Sequence, residues 1–258
     1  MSGPRLTRAF ARNAAESAYP NLWRGLVAAW APPGAPRHAT RLWDYSGTGN
    51  HGTLQNGTSW TAGKNGHALK FDGIDDDVIG DTPGKNFPTG NQSRTVCCWI
   101  KSSGWTGDRG LLHWGQDGGT PAGSNYQIVA GADGTIHWGN GYGHGILKGT
   151  TVVSDGKWHH IVGIYSDGDA FIYIDGRLDK FGNHTPSTIL TTEWRWGRFQ
   201  NSFGAWNGEM ENCLVFRRAL VPTEISYLAS NINIFPKLKN IQHCCFSKIG
   251  MNFISITC

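Results

Sequence analysis

The stretch WHHIVGIYSDGDAFIYIDG, residues 158–176, decides the fold of this chain. Two alternating apolar runs, residues 158–165 and 170–174, flank the tetrapeptide at 166–169. The Asp-Gly pair within that tetrapeptide supplies the positive φ angles that a tight hairpin turn needs. Each run carries bulky side chains on both faces, which is typical of strands inside a two-sheet sandwich. We therefore expect a central β-hairpin with one face against a second sheet and the other against loops or a ligand.

Length and composition favour one all-β domain. The 258 residues include 36 Gly and 12 Trp but only 3 Met, and turn-forming residues recur between short apolar runs. Sandwiches of about 200 residues or more commonly form a single unit. This pattern predicts many strands, many turns and no long helix.

Three segments in the same order resemble the laminin-G-like, or concanavalin-A-like, jelly-roll domains, close to their pentraxin branch. The hairpin matches the family's central hairpin, and HALKFDGIDDDVI (67–79) resembles an early strand pair. The segment 196–225 resembles the closing strand, an Arg-Ala-Leu turn and a short helix that begins near Glu224. The resemblance covers about residues 25–229. It implies an all-β, two-sheet antiparallel jelly-roll sandwich with a short C-terminal helix, in an extracellular or virion-associated setting.

The predicted boundaries divide the chain into an arm at 1–20, the jelly-roll domain at 21–230 and a tail at 231–258. The tail holds six Ile and three Lys but no Arg, whereas all 12 Trp lie upstream of it. We interpret the tail as lying outside the sandwich, either as a foreign or frame-shifted extension or as a lineage-specific appendage. The Arg-rich arm is interpreted as a frayed arm or surface helix, with a targeting peptide as the alternative.

The charge distribution argues against a nucleic-acid partner. The arm contributes +2 and the tail +3 to the net charge of +4, which leaves −1 for residues 21–230. The domain therefore shows no basic stripe of the kind that binds a phosphate backbone. The sequence also has no run of 18 apolar residues that would span a membrane. No signal peptide is evident, and no oligomeric state is indicated.

The six cysteines show no metal-ligand spacing. Cys97 and Cys98 are adjacent on one predicted strand and should point to opposite faces, so at most one can face a partner such as Cys213. We favour reduced cysteines that act as small apolar fillers over a structural disulfide.

Four Asp within residues 72–77 form the first candidate site, because calcium prefers several oxygen ligands from a flexible loop. The resemblance implies that calcium is shared between this acidic turn and a later loop with acidic residues. That later loop aligns here with Phe199, Gln200 and Asn201, where both of its acids are replaced by neutral residues. The predicted metal site is therefore Asp75, Asp76, Gln200 and Asn201, holding calcium weakly, and the alternative is a solvated strand turn.

Aromatic side chains near Gly-rich loops form the second candidate site, because the apolar faces of sugars stack on aromatic rings. The predicted ligand-binding residues are Trp105, Trp114, Trp138, Tyr142 and Trp206.

Catalytic motifs are weak. A jelly-roll glycosidase needs two carboxylates that flank the scissile bond, and the nearest match is Glu209 and Glu211, with the central Asp missing. There is no Gly-x-Ser-x-Gly, His-Glu-x-x-His or P-loop motif. We therefore expect a non-catalytic module that binds a glycan or a protein surface through loops at one rim. The alternative is a structural or adhesion module of a virion or cell-surface assembly without a small ligand, and a glycosidase is a less favoured third.

Overall fold

The structure, a computed structural model, describes residues 21–30, 39–116, 124–139, 145–199 and 203–230. The predicted arm and tail lie outside the described residues. The described part forms two eight-stranded sheets and one helix, α1 (Pro222–Ser230). Within the described ranges, no helix has the length and apolar character needed to cross a membrane.

Strands are numbered in chain order. Sheet A contains β1 (Leu26–Trp30), β4 (Ser59–Ala62), β5 (His67–Asp72), β7 (Arg94–Lys101), β12 (Trp158–Ser166), β13 (Asp169–Ile174), β14 (Arg177–Asn183) and β16 (Asn207–Phe216). Sheet B contains β2 (Arg41–Leu42), β3 (Gly52–Gln55), β6 (Asp77–Gly80), β8 (Arg109–Gly115), β9 (Asn125–Ala130), β10 (Ile136–Gly139), β11 (Leu147–Lys148) and β15 (Arg195–Trp196).

The described strands all pair in antiparallel fashion, as the jelly-roll prediction requires. Sheet A runs in the order β14-β13-β12-β7-β16-β5-β4, and β1 pairs with the second half of β16. Sheet B runs in the order β11-β10-β9-β8-β15-β6-β3-β2. The predicted two-sheet sandwich with a short C-terminal helix is confirmed.

The central hairpin is confirmed in detail. β12 and β13 pair from Ile161 opposite Ile174 to Ser166 opposite Asp169. The two turn residues have the expected positive φ angles, 52° for Asp167 and 93° for Gly168. A pair of positive φ angles twists the turn in the sense that matches the twist of the strands.

The main core lies between the two sheets and is dominated by tryptophan. Its fully buried members include the six tryptophans 30, 114, 138, 194, 196 and 206. Trp30 packs against Trp194 with ring centroids 4.1 Å apart, and Trp114 stacks on Tyr126 at 4.0 Å. Because each buried aromatic ring removes about 150–250 Å² from water, these side chains supply much of the apolar burial that holds the sheets together.

A second apolar cluster covers the outer face of sheet A. Helix α1 contributes Ile225 and Leu228, and the turn before β1 contributes Leu22. The second face of the central hairpin therefore meets the C-terminal helix. Cys97 lies in this outer cluster whereas Cys98 lies between the sheets, as strand alternation predicted. Cys97, Cys98 and Cys213 are free thiols.

The N-terminal part of the domain begins with a turn. Residues 21–25 form this turn, and β1 begins at Leu26. Asp, Ser and Asn side chains of the loop around Asp44 then satisfy backbone amides. The Asp44 carboxylate accepts hydrogen bonds from the amides of Ala29, Ser46 and Asn50, at 2.8–2.9 Å.

Candidate functional site

Several connections meet at one end of the sandwich. Asn207, the first residue of β16, pairs with Asp72 and donates a side-chain hydrogen bond to the carbonyl of Gly104, at 3.4 Å. Ala132 donates its amide to the Asp108 carboxylate at 2.9 Å. We call this end the acidic rim, defined by residues 72–76, 104–109 and 131–133 with Arg198 and Asn207.

The acidic turn brings three carboxylates together. Asp72, Asp75 and Asp76 each offer an oxygen within 4.8 Å of the others. Asp76, however, already accepts the amides of Gly57 and Asp72, at 2.7 and 2.9 Å. Burial raises the pKa of Asp76, and these two hydrogen bonds oppose that shift. Asp76 thus stabilises the turn, which leaves Asp72 and Asp75 as the more accessible carboxylates.

The fourth aspartate of the turn faces elsewhere. Asp77 is buried on sheet B, where it forms an ion pair with Arg195. Burial raises the pKa of Asp77, and the neighbouring Arg195 charge opposes the shift. Asp77 is therefore absent from the cluster of three described carboxylates, contrary to the expectation that all four would lie together.

The opposite half of the predicted metal site, Gln200 and Asn201, lies outside the described residues. Their neighbour Arg198 donates to the carbonyl of Asp75 at 3.1 Å. This hydrogen bond places the positive charge of the Arg198 guanidinium next to the acidic turn, where it opposes the binding of a cation. The described donors therefore fit a tight calcium site poorly.

The structure buries three of the predicted ligand-binding tryptophans, contrary to the expected accessibility of their rings. Trp114, Trp138 and Trp206 have no exposed surface and belong to the core between the sheets. The indole nitrogen of Trp138 donates to the Tyr126 hydroxyl at 3.1 Å, and that of Trp114 donates to the carbonyl of Pro88 at 3.3 Å. Proximity to Gly-rich loops suggested accessibility, but Trp114 on β8 and Trp138 on β10 lie on the core-facing side of sheet B, and Trp206 is buried just before β16. Tyr142 lies outside the described residues.

Trp105 is the predicted aromatic residue that remains partly accessible. It is half-buried at the acidic rim, and its indole nitrogen donates to the carbonyl of Gly131 at 2.8 Å. Its ring packs on Trp206 with centroids 5.1 Å apart. This hydrogen bond and ring contact hold the indole in one orientation at the edge of the core.

Sequence reasoning missed a polar row on the outer face of sheet B. Arg195 lies opposite His113, which lies opposite Gln127, so that three adjacent strands contribute one polar side chain each. Burial lowers the pKa of His113 to about 3, and the Arg195 charge adds to the shift. His113 is therefore neutral at pH 7. The sequence signal that could have revealed this row is the alternation of its polar residues with Leu112, Trp114 and other core residues.

The paired glutamates of the glycosidase hypothesis are engaged separately. Glu209 forms an ion pair with Lys101 at 3.0 Å. Glu211 is buried and accepts the amides of Lys64 and Asn65, at 2.6 and 3.0 Å. Burial raises the pKa of Glu211, opposed by these amides. Glu211 thus anchors the β4–β5 turn, whereas Glu209 pairs with Lys101 on the neighbouring strand β7.

Comparisons with known proteins agree with this architecture. The family model described as the concanavalin A-like lectin/glucanases superfamily, of laminin G type, matches residues 72–226. No curated protein matches the chain in sequence. Domain 4 of AbnA, a GH43 extracellular arabinanase from Geobacillus stearothermophilus in complex with arabinotriose, is similar with a TM-score of 0.63 at 18% identity. That match covers 80% of this chain and 98% of domain 4.

Two further structures share the fold. The binding domain of Paraclostridial Mosquitocidal Protein 1 matches with a TM-score of 0.62 at 15% identity, over 81% of this chain and 52% of that one. The sialidase of Trypanosoma rangeli, in complex with a difluoro-KDN compound, matches with a TM-score of 0.59 at 17% identity. It covers 80% of this chain and 32% of the sialidase. At these identities the likeness establishes the fold.

Proposed function

Because this chain belongs to the laminin-G-like family of the concanavalin A-like lectin/glucanases superfamily, we propose that it is a non-catalytic module that binds a glycan through its acidic rim. One observation carries the proposal. Trp105 is a half-buried indole held in a single orientation beside exposed polar side chains. Glycan recognition needs such a combination, since sugar rings stack on aromatic faces while their hydroxyls require hydrogen-bond partners.

The polar side chains at the acidic rim include both hydrogen-bond acceptors and hydrogen-bond donors. Asp75 and Asp108 are exposed carboxylates that accept hydrogen bonds from sugar hydroxyls, and Arg198 donates them. Arg198 already donates to the Asp75 carbonyl, so its guanidinium lies next to the acidic turn. A ligand stacked on Trp105 could therefore meet donors and acceptors without entering the core.

The comparisons support an oligosaccharide as the ligand class. Domain 4 of AbnA, which this chain matches over nearly its whole length, is in complex with arabinotriose. A non-catalytic role is supported by the two candidate glutamates, since Glu211 is committed to backbone amides and Glu209 to Lys101.

A second candidate function is a protein-binding adhesion module without a small ligand. The observation that favours it is the exposure of Ile74 by 76% and of Phe203 by 72%. Ile74 lies in the acidic turn, and the carbonyl of Phe203 accepts the amide of Phe199, next to Arg198. Large apolar side chains exposed together are typical of protein interaction surfaces.

A glycan array probed with the full chain, with and without calcium, tests the proposal. Calorimetry on the best ligand then compares Trp105→Ala, Trp105→Phe and Arg198→Gln with the control Arg177→Gln, an exposed arginine on β14. We expect Trp105→Ala to weaken binding about tenfold, the equivalent of about 1.4 kcal/mol, because the stacking surface is lost. Trp105→Phe should retain part of the affinity and Arg177→Gln all of it.

Binding of glycans that is indifferent to Trp105 and Arg198 would contradict a site at the acidic rim. An array without any bound glycan would favour the adhesion module. In that case Ile74→Ser and Phe203→Ser should abolish attachment to the partner surface.

A further inference from the structure

A basic cavity lies at the end of the sandwich opposite the acidic rim. It has a volume of about 360 Å³ and is lined by Asn21, Arg24, Gly25, Arg217 and Arg218. The 10 residues of β16 separate the two ends, because Asn207 starts the strand at the rim and Arg217 follows its last residue. At about 3.3 Å per residue the separation is about 30 Å. The cavity is therefore distinct from the site of the proposed function.

One of the three arginines is already neutralised. Arg218 forms a two-pronged ion pair with Glu224, at 2.7 and 2.8 Å. It also donates to the carbonyls of Asn21, Leu22 and Arg24. Arg218 thus builds the wall of the cavity and has little capacity left for a ligand.

The other two arginines are uncommitted. The side chains of Arg24 and Arg217 are exposed and make no hydrogen bond or ion pair with the residues that the structure describes. The Arg217 amide donates to the carbonyl of Gly25 at 2.8 Å, which ties its backbone to the turn that carries Arg24. Arg24 and Arg217 therefore line one small cavity, and no carboxylate of the described residues pairs with either of them.

The sequence that precedes the cavity residue Asn21 is also basic. Residues 1–20 carry Arg5, Arg8 and Arg12 against the single acid Glu16. By contrast, the acidic rim carries the carboxylates of Asp72 and Asp75.

We infer that the cavity of Arg24 and Arg217 binds the oxyanion group of an acidic glycan, a sulfate ester or a uronic-acid carboxylate. The planar fork of a guanidinium group matches the geometry of both oxyanions and forms charge-assisted hydrogen bonds with them. The cavity volume lies in the range of small-molecule sites, which leaves room for the sugar that carries the anion. This inference rests on the proposed function in so far as the ligand is a glycan.

Calorimetry of the full chain at physiological salt tests the inference. The probes are a sulfated oligosaccharide, its desulfated counterpart, an oligomer of uronic acid and inorganic sulfate. The variants are Arg24→Gln, Arg217→Gln and both together, with Arg177→Gln as the control of equal charge change. We expect each cavity substitution to weaken binding of an acidic oligosaccharide by about fivefold or more, and the control by less than about twofold.

The sulfated and uronic-acid probes distinguish the two sources of the oxyanion. Equal affinity for sulfated and desulfated forms, together with no uronic-acid binding, would overturn the inference. So would full retention of acidic-glycan binding in the double variant, since the charge of residues 1–20 would then account for it. An equal loss in Arg177→Gln would show a non-specific charge effect and would also overturn it.

The Trp105→Ala variant separates this inference from the proposed function. It should weaken binding of the desulfated oligosaccharide and leave the gain in affinity due to sulfation unchanged. If neutral glycans do not bind but the sulfated one binds through Arg24 and Arg217, the acidic rim fails as a glycan site while the cavity stands.

Discussion

The Glu224 carboxylate accepts two hydrogen bonds from the Arg218 guanidinium, at 2.7 and 2.8 Å. A third comes from the amide of Val221 at 3.0 Å. Val221 precedes the first helical residue, Pro222, and has no side-chain acceptor that could cap the helix. The Glu224 side chain thus caps the start of α1. Arg218 links Glu224 to the turn at residues 21–25.

Substitution of Arg218 by Ala should destabilise the domain by about 2–3 kcal/mol. The change leaves a nearly buried Glu224 without its counter-charge and removes donors from four backbone carbonyls. Urea unfolding followed by tryptophan fluorescence measures the effect. The exposed neighbour provides the control, since Arg217→Ala should leave the midpoint unchanged. A similar midpoint for both variants would contradict the role of the pair.

Substitution of Gly168 by Val should cost on the order of 1 kcal/mol or more, because φ is 93° at this turn position. A Cβ atom there meets no heavy atom within 4 Å, so the cost is conformational strain rather than a steric clash. Gly168→Asn should be milder, since Asn tolerates the left-handed region better than β-branched residues. Thermal unfolding of the two variants checks this order, and equal melting temperatures would refute it.

Stability should fall as the pH drops from about 6.5 toward 4. Burial lowers the pKa of His113 to about 3 and those of His160 and His184 to about 4. Their ordinary pKa is 6.5, so the unfolded chain binds more protons in this window and acid favours it. At pH 5 each of these histidines lowers the free energy of unfolding by on the order of 1–2 kcal/mol relative to neutral pH.

His159 acts in the opposite direction. It lies between Asp175 and Asp155, at 2.8 and 3.0 Å, and the hydrogen bond to Asp175 raises its pKa. The stabilisation that His159 provides is complete below pH 6.5 and is lost as the pH rises. The three histidines whose pKa values are lowered outweigh this effect. Urea unfolding at pH 7.5 and 5.0 measures the balance. His160→Phe should reduce the pH dependence because it removes one titrating group and keeps the contact with Trp99.

Calcium should bind weakly or not at all. Asp76 is committed to amides, Arg198 lies beside Asp75, and the later loop offers only the amides of Gln200 and Asn201. Calcium at a concentration equal to a millimolar Kd would stabilise the fold by only about 0.4 kcal/mol. Asn201→Asp should strengthen binding and Asp75→Asn should weaken it. Micromolar affinity of the unmodified chain in calorimetry would be incompatible with this prediction.

Truncation after Ser230 should leave the unfolding midpoint nearly intact. The two apolar clusters of the described domain are built from residues between Leu22 and Leu228, and the tail is predicted to lie outside the sandwich. Differential scanning calorimetry of the full and truncated chains makes the comparison. Loss of a cooperative transition on truncation would show that residues 231–258 belong to the folded unit.

The sequence by itself determined the fold class, because the signals that specify it are local. The Asp-Gly turn, the period-two alternation of β12 and β13 and the opposite orientations of Cys97 and Cys98 all follow from neighbouring residues along one strand. The resemblance to the family also predicted the short C-terminal helix near Glu224, which begins two residues earlier, at Pro222.

Only the tertiary structure decided which side chains are accessible. Trp114 and Trp105 both lie near flexible-looking loops in the sequence, yet only the stacking of sheet B on sheet A buries Trp114 completely. Likewise, Arg24 and Arg217 stand almost 200 residues apart in the chain and meet because β1 pairs with β16. Alternation along a strand specifies that two faces exist, but long-range strand pairing and sheet packing decide what each face meets.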